Sequence, residues 1–297
     1  MEKKKHKVGY YFLSLVPMVG ALIIQVVVAV VWGIVGTAIY SSKLVMEQGP
    51  EALDNLEAVQ KGATNYYLGN IIYVIIAAQV AMLIFAGIWY GILIKKQCTN
   101  RTIKEAANVR TIGMCVLFAI GLQFVIGFLL QICAVIFPDT IEAYSELMQM
   151  AGIGETTVWS LFATVVIAPI SEELLFRGLT LRFLQKAGAK FWIANTIQAL
   201  LFGILHLNLV QGLYAFVLGL VLGYVAGKCK SVFLSVMLHL AFNLSGQLLA
   251  FILGDFESWV VWGIFFVLGA VVIVGAAFLL KKELDANRES ILITQEG

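Results

Sequence analysis

Residues 9–40 read GYYFLSLVPMVGALIIQVVVAVVWGIVGTAIY, with no charged residue anywhere in the stretch. A helix crosses the ~30 Å hydrocarbon core with ~20 apolar residues, whereas a barrel strand uses only ~10. The run follows Met1-Glu-Lys-Lys-Lys-His-Lys7, which resembles the basic start of a signal peptide. It is too long for a signal peptide's apolar segment, and no small-residue cleavage site follows. It therefore reads as a retained first membrane span.

Similar runs recur at 68–94, 111–137, 157–186, 190–208, 211–227, 231–253 and 258–280. Of the 297 residues, 61% are apolar and only 13% are charged. The charged share is about half that of a soluble domain. This composition excludes a disordered chain, a secreted disulfide scaffold and an ordinary cytosolic enzyme. The expected fold is an all-α polytopic membrane protein with about eight transmembrane helices. Three regions are expected. Residues 1–150 hold about three spans and a short extracytoplasmic loop helix, 151–256 form a core, and 257–297 form the last span and a tail. Within the loop at 41–67, Pro50 and Gly62 are expected to bracket that helix. Cys115 and Cys133 lie in an apolar run, where a small core role is expected.

Basic residues flanking spans mark the cytoplasmic side. With a cytoplasmic N-terminus, every Lys and Arg except Lys43 and Lys61 falls on inside segments, including the loops at 95–110 and 177–190. The outside loops hold acids such as Glu47, Asp54, Asp139, Glu155, Asp255 and Glu257. Both termini are therefore expected in the cytoplasm.

Ionisable residues inside spans are costly and are functional suspects by default. They concentrate in the second half, in Pro169-Ile-Ser-Glu172-Glu173-Leu-Leu-Phe-Arg177, Phe202-Gly-Ile-Leu-His206-Leu-Asn208 and His239-Leu-Ala-Phe-Asn243. At ~1.5 Å per residue, Glu172 lies about 21 Å, His206 about 24–27 Å, His239 about 12 Å and Asn243 about 18 Å from the same face. The four can meet near one level. Glu173 and Arg177 stand at i, i+4 in the order that favours an ion pair. Glu172 points about 100° away and is the better candidate for a free carboxylate. Asn208 reads as a cap or interface residue. Gly212, Gly219, Gly223 and Gly227 form a stripe that lets another helix approach closely.

In order, EELLFR at 172–177, FGILH at 202–206 and HLAFN at 239–243 resemble the CPBP family. That family includes the type II CAAX prenyl endopeptidases and bacteriocin-immunity (Abi) proteins, and the resemblance covers roughly 155–255. It implies an intramembrane endopeptidase of the glutamate type. Glu172 would be the general base with His206 as its partner, and His239 and Asn243 would stabilise the oxyanion. Glu173, Arg177 and the motif's Phe202 would support the site or bind substrate. No cofactor is implied by that scheme. The alternative is a zinc site formed by Glu172, His206 and His239, although HExxH is absent.

The expected partners are membrane lipid and a membrane-associated or lipidated peptide, with no nucleic acid. The expected location is integral and multi-pass, in the plasma membrane if the source is bacterial. Two rival functions remain: a non-catalytic scaffold or immunity protein of the same fold, and a proton-coupled transporter.

Overall fold

The computed structural model describes residues 2–95, 108–150, 157–253 and 258–296. Cys98, Glu155, Asp255, Glu257 and most of the 95–110 loop lie outside the described residues. We number the helices α1 (Glu2–Leu13), α2 (Val16–Gln48), α3 (Leu56–Gly69), α4 (Ile71–Lys95), α5 (Val109–Ile136), α6 (Pro138–Met150), α7 (Val158–Lys186), α8 (Phe191–Leu205), α9 (Leu209–Lys228), α10 (Val232–Leu253) and α11 (Trp259–Glu296). The fold is all-α and polytopic. Among the described residues, seven stretches are long and apolar enough to cross a membrane. The eighth expected run forms the shorter α8, about 22 Å long at ~1.5 Å per residue. The chain is an integral multi-pass membrane protein.

The first run breaks at Ser14–Leu15, where the Ser14 hydroxyl donates to the Tyr11 carbonyl at 2.6 Å and Pro17 opens α2. Pro tolerates this position because the first helical N–H groups have no partner in any case. The loop helix differs from expectation. Pro50–Asp54 is a 3-10 turn, and α3 starts only at Leu56, where the Asn55 side chain accepts from the Ala58 N–H at 3.1 Å. Gly62 sits inside α3 and does not end it; a glycine suits the position because the Tyr40 hydroxyl occupies the space a Cβ would need.

α7 is the central helix. α2, α4, α8, α9 and α10 all pack against it. Two π-helical stretches, Phe162–Ile167 and Leu174–Thr180, widen it. The first precedes Pro169, whose ring and missing N–H disrupt regular α-helical bonding. Such π segments are frequent at functional sites. α7 ends at Gly188, whose φ of +93° closes the tight turn into α8. This turn and the one between α9 and α10 define the near side of the bundle. α6 and the α8–α9 turn lie on the far side.

Two apolar cores flank the centre. One joins α2, α4, α7, α8 and α9 through Met82, Leu175, Phe176 and Leu205. The other joins α5, α9, α10 and α11 through residues including Cys115, Leu222, Leu238 and Phe242. The glycine stripe of α9 faces α8, with Gly212 against Gly203 and Gly219 against Ala199. α5 and α11 cross backbone to backbone. A Cβ at Gly121 would stand 2.8 Å from the Gly269 carbonyl oxygen, and one at Gly269 would stand 2.6 Å from that of Gly121. Val26, Val30, Ile34, Val260, Val267 and Val271 are exposed on α2 and α11, as lipid-facing positions require.

Candidate active site

Glu172, His206, His239 and Asn243 all line one cavity of about 510 Å³. Three elements bring them there. α7 carries Glu172 at its centre, and α10 carries His239 and Asn243 one turn apart. His206 follows the C-terminal end of α8. Because α8 is shorter than the ~30 Å core, His206 ends up at depth and not at the surface.

Glu172 is 8% exposed and makes no hydrogen bond among the described residues. Its Oε2 lies 3.8 Å from His239 Nε2. That is too long for a hydrogen bond and suits a shared water. His206 donates Nδ1–H to the Phe202 carbonyl at 2.9 Å, which leaves Nε2 free. Asn243 donates one amide hydrogen to the Thr164 carbonyl at 2.8 Å, within the first π stretch, and keeps a second. Asn208 caps α9 by accepting from the Gln211 N–H at 3.0 Å.

Glu173 turns away from the cavity and is fully buried. Its Oε1 accepts from Arg177 Nη1 at 2.7 Å and from His239 Nδ1 at 2.9 Å. Arg177 is 1% exposed, and its Nη2 donates to the Gly219 carbonyl at 3.2 Å. Gln198 donates to the same carbonyl and to Asn195 Oδ1, both at 2.9 Å. Arg177 is therefore held within the bundle, with no face on the cavity for a substrate carboxylate. Phe202 lies between the two systems. The Arg177 guanidinium stands 4.6 Å from its ring centroid, and the His206 and His239 rings meet it edge-on at 5.0 and 5.8 Å.

The sequence reading pairs His239 with Asn243. The geometry adds that the same imidazole bridges the two glutamates, with Nδ1 on Glu173 and Nε2 facing Glu172. Spacing along one chain cannot reveal such a bridge between α7 and α10. The expected outside loop around Asp139 is ordered as α6. It is an amphipathic helix that brings Tyr144 and Met148 to the cavity, and the Tyr144 hydroxyl lies 3.3 Å from that of Tyr214. Its signal was present: Pro138 and Asp139 at the start, then Ile141, Tyr144 and Met148 at helical spacing. Ser171, whose hydroxyl donates to Gln79 Oε1 at 3.0 Å, gave no signal because its partner lies on α4.

Residues 154–245 match the family model described as type II CAAX prenyl endopeptidase Rce1-like. The chain carries a domain of that family. The match spans all three motifs and just under a third of the chain. It places a stretch similar to a membrane protease family within a multi-pass membrane chain. No curated protein and no solved structure matched the chain.

Proposed function

We infer that the protein is an intramembrane endopeptidase that hydrolyses a membrane-associated or lipid-modified peptide with a water activated by Glu172 and His206. The observation that carries this reading is the convergence of a carboxylate, two imidazoles and a carboxamide on one cavity, three of them from helices long and apolar enough to span a membrane. Glu172 takes a proton from the water as its oxygen attacks the scissile carbonyl carbon. His206, anchored through Nδ1, orients that water through Nε2. The oxyanion forms beside Asn243, which has an amide hydrogen to spare beyond its bond to Thr164, and beside His239, which donates from Nε2 when both ring nitrogens carry hydrogens because Nδ1–H is spent on Glu173. Glu172 then returns the proton to the leaving nitrogen, so that water is added across the bond. A fixed donor of this kind lowers the barrier by about 3–4 kcal/mol. The family description points to a prenylated substrate. The cavity walls support the wider class of lipid-associated peptides, because a site within lipid selects what partitions there.

The zinc alternative uses Glu172, His206 and His239. Histidines anchored through Nδ1 also suit metal binding. Among the described residues, however, no three His, Cys, Asp or Glu are grouped so as to hold a metal ion. Metal content of active enzyme and turnover after chelation separate the schemes. Stoichiometric zinc whose removal and return switch activity off and on would overturn the glutamate scheme.

The deciding experiment is cleavage of lipidated and unlipidated peptides by purified protein in bilayers, with Glu172→Gln as control. Cleavage by the wild type alone supports the reading, and equal behaviour of the two proteins overturns it. The near side of the bundle is assigned to the cytoplasm by its basic residues. A cysteine introduced at Asn55 should then react with an impermeant reagent on intact cells, and a cysteine at Arg101 should not.

A further inference from the structure

Five glutamines line the cavity: Gln25, Gln79, Gln123, Gln211 and Gln247. A carboxamide within a span is costly unless it is hydrogen-bonded or faces water or a ligand. Gln25 donates to the Met82 sulfur at 3.8 Å, and Gln79 accepts from Ser171 at 3.0 Å. The side chains of Gln123, Gln211 and Gln247 have no hydrogen-bond partner among the described residues. Gln211 sits at the far-side end of α9. The other two stand on the wall that also carries Asn243.

That wall has a regular spacing. His239, Asn243 and Gln247 follow at i, i+4 and i+8 on α10, and all three line the cavity. Each step is about 6 Å along the helix. An extended peptide presents backbone groups on the same edge every two residues, about 6.6–6.8 Å apart. Between the last two positions lies Gly246. A Cβ there would meet Gln123 Nε2, Cδ and Oε1 at 3.2–3.3 Å. The whole amide plane of Gln123 therefore lies flat on α10 beside Asn243 and Gln247. A side chain there would push the Gln123 amide back by a few tenths of an ångström.

Building on the endopeptidase reading, we propose that Gln123 and Gln247 form a backbone-binding track for an extended peptide, running from the scissile carbonyl at Asn243 toward the far side. A carboxamide offers both a donor and an acceptor, as a peptide unit does. Two such groups hold a chain in register without reading its side chains. The substrate is then an unfolded stretch that continues past the cleaved bond. A lipid-modified terminus with nothing beyond that bond would not engage the track.

The test compares two fluorogenic peptides cleaved by the protein, one reaching four residues beyond the scissile bond on each side and one reaching a single residue. The wild type should prefer the long peptide in kcat/KM, and Gln123→Met and Gln247→Met should each shrink that preference about fivefold, through KM. Replacing the backbone amide two residues from the scissile bond by an ester, on each side in turn, should cost the wild type a similar factor on one side. It should cost Gln247→Met little more. An ester penalty undiminished in both variants, or equal losses on long and short peptides, would overturn the track. If the wild type cleaves nothing, the endopeptidase reading fails, and titration of the long peptide into Glu172→Gln protein tests the track alone. A severalfold weaker Kd when Gln247→Met is added supports it, and an unchanged Kd overturns it.

Discussion

Glu172 and Glu173 are neighbours on α7 and meet opposite surroundings. Glu172 opens on the cavity with no hydrogen bond to satisfy it among the described residues. Glu173 is sealed among Arg177, His239 and the α8–α9 hairpin. The two clusters use the same residue types: a carboxylate, an imidazole and carboxamides. They differ in access. In the sealed cluster Glu173 Oε1, both terminal nitrogens of Arg177 and the Gln198 amide nitrogen are bonded to protein groups, while Glu173 Oε2, Arg177 Nε and Gln198 Oε1 are buried without a partner among the described residues and line no part of the cavity. In the open cluster the free atoms are Glu172 oxygens, His206 Nε2 and an Asn243 hydrogen, and these are what a reaction can use. His239 touches both clusters and so ties the geometry of one to the rigidity of the other.

This contrast predicts that substitutions on the two sides fail in different ways. The largest effect falls on the open side. Glu172→Gln keeps the shape and removes the base, so turnover should fall by about 10²–10⁴-fold with thermal stability in detergent unchanged. Retention of more than about a tenth of wild-type turnover, a loss under ~1.4 kcal/mol, would show that Glu172 is not the base.

The next effect falls on the sealed side. Arg177→Met leaves the Glu173 charge buried with only His239 against it, which costs about 3–5 kcal/mol. The expected result is a large loss of folded protein, read as yield and melting temperature. Any surviving fraction should keep much of its activity per folded molecule. A stable variant that is dead would move Arg177 into the reaction.

A third prediction returns to the open side. Asn243→Ala removes one oxyanion donor, so kcat should fall about 10²–10³-fold, while KM changes far less. Equal loss through KM would mean that Asn243 binds substrate in its ground state and does not stabilise the transition state.

The spans and the three polar motifs were legible in the sequence because hydropathy and i, i+4 spacing are local properties. The Glu173–Arg177 pair was legible for the same reason. The bridge from His239 to Glu173, the anchor from Asn243 to Thr164 and the bond from Ser171 to Gln79 were not, since each joins residues far apart in the chain. The depth of His206 is readable only as a range, because the length of α8 depends on where the turn at 206–208 falls. The loop helix was misplaced through reading Gly62 as a terminator, when the side chain that explains it, Tyr40, belongs to the preceding span.

The smallest predicted effect sharpens the contrast most. Gln198 is fully buried beneath Arg177. Its amide donates to the Gly219 carbonyl and to Asn195 Oδ1, and its own Oε1 has no hydrogen-bond partner among the described residues. Gln198→Leu removes two hydrogen bonds, each worth about 0.6 kcal/mol in a membrane protein. It also removes an unsatisfied acceptor, whose burial costs about 1–3 kcal/mol. The Gly219 carbonyl keeps Arg177 as a donor, while Asn195 Oδ1 loses the Gln198 amide as its donor. The opposing terms nearly cancel, so stability should change by about 1 kcal/mol or less in either direction. Activity should stay within about twofold, because no atom of Gln198 reaches the cavity and Arg177 remains held by Glu173. Melting temperature and turnover measured on one preparation check both halves. A tenfold loss of turnover without a loss of stability would show that the sealed cluster tunes the chemistry as well as the fold, and the division between the two sides of α7 would fail.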